Sequence, residues 1–299
     1  PATRTVTMRM ALLTLCLLLP SPGPAMAVEA VGLQVLDPAT PAPAEPVLLA
    51  PGLIDTPFEE RDLTVSTRYI AWTRVGPRMA VLLLEKGPDG WGVPFLAPFS
   101  GLWDDLEPAF SPDGKRLWFS SKRPGGETEG DYDLWYAEVG AAGLGDPVRP
   151  GAPLNEAGNE FYPSVTTGGT VYFTAEREGG VGGEDIWRCR PADGGWAEAE
   201  CLGEPVSTPG PEFNAFIAPD ESYLLFSRWR PEGDFGGGDL YVTFRRADDT
   251  WTEAQNLGPV VNTPALEYCP GVSPDGRLLF FSRRGGREAI EHPTGEPLD

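Results

Sequence analysis

Short apolar runs, each entered through a tight polar turn and left at a basic residue, repeat along this chain. Four of them align without gaps being forced: SPDGKRLWFSSKR from Ser111, TTGGTVYFTAER from Thr166, APDESYLLFSRWR from Ala218 and SPDGRLLFFSRR from Ser273. The PDG and GG steps are turn chemistry, because glycine takes positive φ at little cost. The alternating or fully apolar residues that follow read as half-buried or buried strands. Before each turn lies another short strand: EPAF, FYPSV, FNAFI and YCPGV. After it come DLWYAEV from Asp133, DIWRCR from Asp185 and DLYVTFR from Asp239, then a fourth strand led by Trp196 or Trp251. No window sustains a helical period, and Gly or Pro interrupts every dozen or so residues.

An acid marks the same register in every copy, at Asp105, Glu160, Glu212 and Glu267, so the period is 52 to 55 residues. A four-stranded antiparallel unit repeated at this length predicts a propeller blade. A worn fifth copy opens the series. Asp55-Thr56-Pro57 followed by Glu60 matches Ser207-Thr208-Pro209 with Glu212, and Asn262-Thr263-Pro264 with Glu267. The last copy shows two strands, through Arg284. The segments Val31 to Leu36 and Ala44 to Leu49 are therefore expected to supply its third and fourth strands. The expected architecture is an all-β, five-bladed propeller over residues 28–285, its last blade closed by N-terminal strands, with a polar tail at 286–299. Closure of this kind removes open sheet edges.

The combination E-[FY]-x-P-x-x-S-P-D-G, an apolar strand, R-x-G-G and D-[IL]-[WY] resembles the TolB-type WD40-like repeat over about residues 55–285. The resemblance implies a bacterial envelope or secreted propeller that binds proteins or ligands. TolB itself has six blades and an added α/β domain, for which this chain has no room. The resemblance is therefore carried over to the fold and not to TolB's particular role.

Residues 8–27 read as a secretory signal: Met8-Arg9, an apolar run from Ala11 to Leu19, and a small-x-small site at Ala25-Met26-Ala27. Leu15 before Cys16 does not fit a lipidation site. The expected location is periplasmic or secreted, without stable membrane insertion, and the expected form is a monomer. The formal net charge of −21 argues against nucleic-acid partners, whose phosphates it repels. An envelope or secreted protein, or a small ligand, remains as partner.

Catalytic apparatus is scarce. The single histidine, His292, lies in the polar tail, a poor place for a preorganised base. There is no G-x-S-x-G elbow and no zinc-type Cys/His cluster. Cys189 and Cys201 flank a turn at near-symmetric spacing and predict a disulfide in an oxidising compartment; Cys269 is expected to be buried without a partner. No cofactor is implied, calcium on the Gly-rich acidic loops after the second strands being the one metal to consider.

Carboxylates are the remaining candidates. Glu60, Asp105, Glu160, Glu212 and Glu267 recur in every copy, beside the second-strand arginines Arg74, Arg123, Arg177, Arg230 and Arg284 in an antiparallel pair. A structural acid–arginine pair in each blade is the simpler reading; a cation or ligand site at the mouth is the other. Asp133, Asp185 and Asp239 are likewise expected to be structural. Function should break the repeat, which singles out Glu107, Tyr162 and Asn214, each two residues past an acid. The expected activity is non-enzymatic binding at one face, the alternative being a carbohydrate-active hydrolase working through channel carboxylates.

Overall fold

Alternation in the repeats becomes a set of antiparallel meanders arranged as a propeller. The computed structural model describes residues 32–126, 128–229 and 233–285. The first sheet holds β1 (Glu59–Val65), β2 (Tyr69–Val75), β3 (Ala80–Gly87), β4 (Gly90–Trp91) and β5 (Phe95–Leu96). The second holds β6 (Asp105–Phe110), β7 (Arg116–Ser121), β8 (Asp133–Gly140) and β9 (Gly143–Val148). The third is β10 (Glu160–Val165), β11 (Val171–Ala175), β12 (Asp185–Cys189) and β15 (Glu200–Cys201), with a side hairpin of β13 (Pro191–Ala192) and β14 (Gly195–Trp196). The fourth is β16 (Glu212–Ile217), β17 (Tyr223–Arg228), β18 (Asp239–Phe244) and β19 (Gln255–Asn256). A two-stranded sheet, β20 (Leu266–Val272) with β21 (Leu279–Arg284), completes the described strands. Four blades are thus fully formed. The first strands lie innermost, each packed against that of the next sheet, and β20 also touches β1.

Apolar residues fill the wedges between sheets. Trp118, Leu134 and Leu154 pack against Val171, Phe173 and Trp187; Tyr172 and Ile186 pack against Leu224, Phe226 and Trp251. At roughly 25 cal/mol per Å2 of apolar surface, these wedges are the main favourable term. Polar latches sew the same interfaces. The Asn155 side chain accepts from the Leu134 amide (2.7 Å) and donates to its carbonyl (2.9 Å), and Asn262 does the same to Leu240. The Gly-rich loops belong to this stitching. A Cβ on Gly182 would lie 2.4 Å from the Thr208 carbonyl oxygen, and one on Gly236 would lie 2.2 Å from that of Thr263. Those glycines are there because the next repeat leaves no room for a side chain.

Three expectations are corrected. The N-terminal segment does not form strands: Leu33–Leu36 is a 3-10 helix entered through Gly32 at φ 101, and residues 44–49 carry no strand. Pro38, Pro41, Pro43 and Pro46 remove the N–H groups a ladder needs. The segment instead packs Leu33, Ala50 and Ile54 against Ile70, Trp72 and Leu84 of the first sheet. It still spans to the last sheet, where Arg277 donates to the Thr40 and Asp37 carbonyls. Val31, the signal region and the tail lie outside the described residues.

The second correction is the disulfide: Cys189 and Cys201 are free thiols. The ladder pairs Cys201 with Trp187, not with Cys189, because the β13–β14 hairpin displaces the register. Burial pushes the Cys189 thiol up to about 12, so it stays protonated and inert.

The third concerns the acid–arginine pairs. Glu60–Arg74, Asp105–Arg123 and Glu160–Arg177 form as expected, at 3.0, 2.6 and 2.6 Å. Glu212, however, pairs with Arg228 (2.9 Å) and Glu267 with Arg283 (2.7 Å). The ladder sets Glu212 opposite Arg228 and Glu267 opposite Arg283. Arg230 lies outside the described residues, and Arg284 instead faces Glu59 at 3.8 Å.

Candidate functional site

First strands start, second strands end and third strands start at the same end of the molecule, so the acids and the variable loops share one mouth. Each acid there is held from two sides. Besides its arginine, Glu212 accepts from the Thr208 amide (2.7 Å) and hydroxyl (2.6 Å); Glu267 is bound the same way by Thr263, and Glu60 by Thr56. That is the physical content of the Thr-Pro-x-x-Glu spacing. Asp105 takes the Ser121 hydroxyl at 2.5 Å in place of a threonine. Burial raises the carboxyl of Asp105, raises that of Glu212, and lifts Glu160 to about 7 against the opposing pull of Arg177. Desolvation outweighing ion pairing is the expected behaviour of buried pairs.

Two residues further along every first strand, the backbone turns left-handed. Asp62, Glu107, Tyr162, Asn214 and Cys269 have φ of 62, 58, 49, 51 and 56. Each sits at a register shift in its ladder, a β-bulge that turns the side chain toward the axis. All five are buried and connected. Glu107 is the hub: its carboxylate accepts from Arg61 (2.8 Å), the Tyr162 amide (2.7 Å), Ser120 (3.2 Å) and Asn214 Nδ2 (3.3 Å). The Tyr162 hydroxyl donates to the Pro270 carbonyl at 2.8 Å, and Cys269 Sγ lies 3.4 Å from Asn214 Oδ1. Burial lifts Glu107 to about 7, against Arg61. It also raises the Tyr162 hydroxyl and the Cys269 thiol.

Arg61 closes the axis. Its Nε donates to both oxygens of Asp62 at 2.8 Å, and its guanidinium lies over the Tyr268 ring at 5.1 Å. Burial opposes its charge, but Asp62, Cys269 and Glu107 outweigh burial and raise it further above its usual range. Beneath this plug a cavity of about 40 Å3 is lined by Glu107, Tyr162, Ser164 and Pro270 among others.

The repeat-breaking residues Glu107, Tyr162 and Asn214 are therefore brought together, but below the surface. The five repeated acids stand in a ring above them, each closed on its own arginine. Two members of the axis network escaped the sequence reading. Asp62 stands at the same offset from Glu60 in the worn repeat, so extending the alignment would have found it; Arg61 left no repeat signal at all. Beside exposed acids such as Glu129 and Glu178, the mouth presents apolar side chains to solvent: Phe58, Leu102, Trp103, Val181 and Phe235 are all more than a third exposed and lie on loops at this end. Among the described residues, no group of three or more His, Cys, Asp or Glu is placed to hold a metal. No helix among them is long and apolar enough to cross a membrane.

The blades, the innermost first strands and the closed axis define an all-β antiparallel propeller. No protein-family model matches the chain, and no curated protein matches it. Among solved structures, TolB from Acinetobacter baumannii is similar at 16% identity and a TM-score of 0.52, over 77% of this chain and 50% of that one. This chain thus spans half the length of that protein. A protein described as TolB from Agrobacterium tumefaciens is 17% identical over 77% of this chain and 92% of its own, with a TM-score of 0.42. A gluconolactonase from Xanthomonas campestris is 15% identical over 72% and 65%, with a TM-score of 0.44. Likeness at this level speaks to the fold alone.

Proposed function

We propose that this chain is an exported, non-catalytic five-bladed propeller that binds a protein or small ligand at the acid end, in the bacterial envelope or outside the cell. The observation that carries the reading is the division of labour at that end. Every repeated acid is consumed by its own arginine, and the axis carboxylate Glu107 is held by donors from four repeats. A hydrolase working through channel carboxylates needs two acids open to one substrate, with environments that push their pKa values apart. Exposed Leu102, Trp103 and Phe235 stand on the rim instead, and aromatic side chains on rigid scaffolds are typical anchors of binding energy. The two-stranded last sheet counts as the fifth blade in this reading, since β20 carries the same acid and bulge as the other first strands and β21 supplies the paired arginine.

The test compares capture from envelope extracts by the unaltered protein, by a Trp103→Ala/Phe235→Ala variant, and by Phe244→Ala. Phe244 is 45% exposed at the opposite end, where the third strand finishes. The expected result is a partner retained by Phe244→Ala and lost, by at least tenfold in affinity, in the rim variant. Loss in Phe244→Ala alone overturns the choice of face, and turnover of any member of a glycan panel overturns the absence of catalysis.

A further inference from the structure

The third strands of three sheets begin with an aspartate, and the repeats solve the burial of that charge differently. In the second sheet Arg149 reaches Asp133 Oδ1 at 2.8 Å. In the third, Asp185 Oδ2 caps the Val181 and Gly182 amides at 2.7 and 3.1 Å. Its Oδ1 is buried without a hydrogen-bond partner among the described residues, and no second carboxylate among them shares its amide donors.

The fourth sheet departs from both. The ladder puts Asn256, a neutral residue, opposite Tyr241, where the second sheet brings in its arginine. The preceding loop adds a second carboxylate, Asp234. Asn256 Nδ2 bridges the two acids, 2.7 Å from Asp239 Oδ2 and 3.4 Å from Asp234 Oδ1. Tyr241 donates its hydroxyl to the same Asp234 oxygen, and the Phe235 amide donates to Asp239 Oδ2 at 3.0 Å. The other oxygens, Asp234 Oδ2 and Asp239 Oδ1, are both buried, and neither has a hydrogen-bond partner among the described residues. Asp239 as a whole is fully buried. Arg228 is the nearby cation, and it is already engaged by Glu212 and by the Pro205 and Val206 carbonyls. A fully buried carboxylate beside a half-buried one, with two shielded bare oxygens and no cation of their own among the described residues, forms an incomplete electrostatic unit.

We propose that a hard divalent cation, Ca2+, completes it, bound between Asp234 Oδ2 and Asp239 Oδ1. The donors present are all oxygens, with no imidazole or thiolate, which selects Ca2+ or Mg2+ over zinc or copper. An irregular loop favours Ca2+, which accepts flexible geometry, over Mg2+, which demands a near-octahedral shell and keeps its waters. Loop carbonyls and water supply the rest of its shell. Burial raises the Asp234 carboxyl despite the Tyr241 hydrogen bond, and a bound cation reverses that shift.

The site has a structural consequence. Residues 234–239 carry Phe235 on the rim, and Gly237 donates to the Ala265 carbonyl of the last sheet at 2.7 Å. Ca2+ therefore fixes a mouth loop to its neighbour.

The test is calorimetric titration of the chelator-stripped full chain with CaCl2, and separately with MgCl2. One saturable site is expected, with a dissociation constant of about 0.1–1 mM, the range of modest extracellular sites, and Mg2+ at least tenfold weaker. Asp234→Asn should weaken Ca2+ at least tenfold, while Asp133→Asn, at the arginine-neutralised equivalent, leaves it unchanged. Should Asp239→Asn fail to fold, Tb3+ luminescence excited through Tyr241 supplies a second readout on Asp234→Asn: expected bright in the unaltered protein, dark in the variant, and quenched by Ca2+. No saturable Ca2+ binding up to about ten times that range, or an Asp234→Asn isotherm identical to the parent's, overturns the proposal.

Discussion

Two rings of side chains lie two residues apart in every repeat, and they differ in how they are held. In the acid ring, each member is bonded within its own repeat: Glu160 to Arg177, Glu212 to Arg228 and Thr208. In the axis ring, the members are unlike one another and bond between repeats, with Glu107 reaching groups on four first or second strands. A position that recurs identically solves a problem each blade has alone, namely anchoring the start of its first strand. A position that varies lies where five strands meet and one set of side chains must fill one axis. Variation across repeats therefore marks convergence, and convergence here is packing as much as recognition.

The largest effect that can break this comparison lies in the acid ring. Arg177→Ala leaves Glu160 buried beside no cation, and we expect a loss of about 3–5 kcal/mol in urea unfolding. Arg74→Ala, whose guanidinium is 30% exposed, should cost about 1 kcal/mol or less. Equal losses would mean that burial does not set the strength of these pairs.

Next comes pH. Glu107 titrates near 7 when folded, above its ordinary 4.5. A carboxyl raised in this way contributes stability that is full below about 4.5 and lost as pH rises through about 7. Glu160 acts in the same direction. The protein should gain stability from pH 8 to pH 5, and Glu107→Gln should remove up to about 3 kcal/mol of that gain. An unchanged pH slope in the variant would take Glu107 out of its place as buried hub.

A smaller effect is expected at Tyr162→Phe, which deletes the hydroxyl donated to the Pro270 carbonyl across the axis. The loss should be about 1–2 kcal/mol, with partner binding unchanged because Tyr162 is buried. Reduced affinity at constant melting temperature would return Tyr162 to the binding surface. The smallest effect tests the thiols: a reductant should leave the melting temperature unchanged, and mass mapping should find Cys189 and Cys201 unlinked.

Much of this was legible beforehand for a physical reason. A blade is defined by local alternation and turn chemistry, so Ser-Pro-Asp-Gly, the Thr-Pro-x-x-Glu spacing and the Asp-Leu-Trp entry locate strands without tertiary information. The acid and arginine columns followed from antiparallel register, although one slip misplaced two of the arginines. Arg228 and Arg283, not Arg230 and Arg284, lie opposite their acids: β17 ends at Arg228, and in β21 the ladder sets Glu267 against Arg283 and Leu266 against Arg284. The disulfide failed similarly: counting about a turn cannot see the β13–β14 hairpin that offsets Cys189 from Cys201.

By itself the sequence determined the repeat, the all-β antiparallel architecture and the mouth where the acids gather, since each depends on contacts within one copy. Only the tertiary structure decided what fills the axis, how the N-terminal segment meets the ring, and that Asp234 and Asp239 share one amide. Those outcomes depend on side chains brought together from distant repeats or across a sheet, where no period in the chain announces the meeting. Arg61 shows it most plainly: nothing beside it in sequence distinguishes it, and its partner Glu107 lies in the next repeat, 46 residues away.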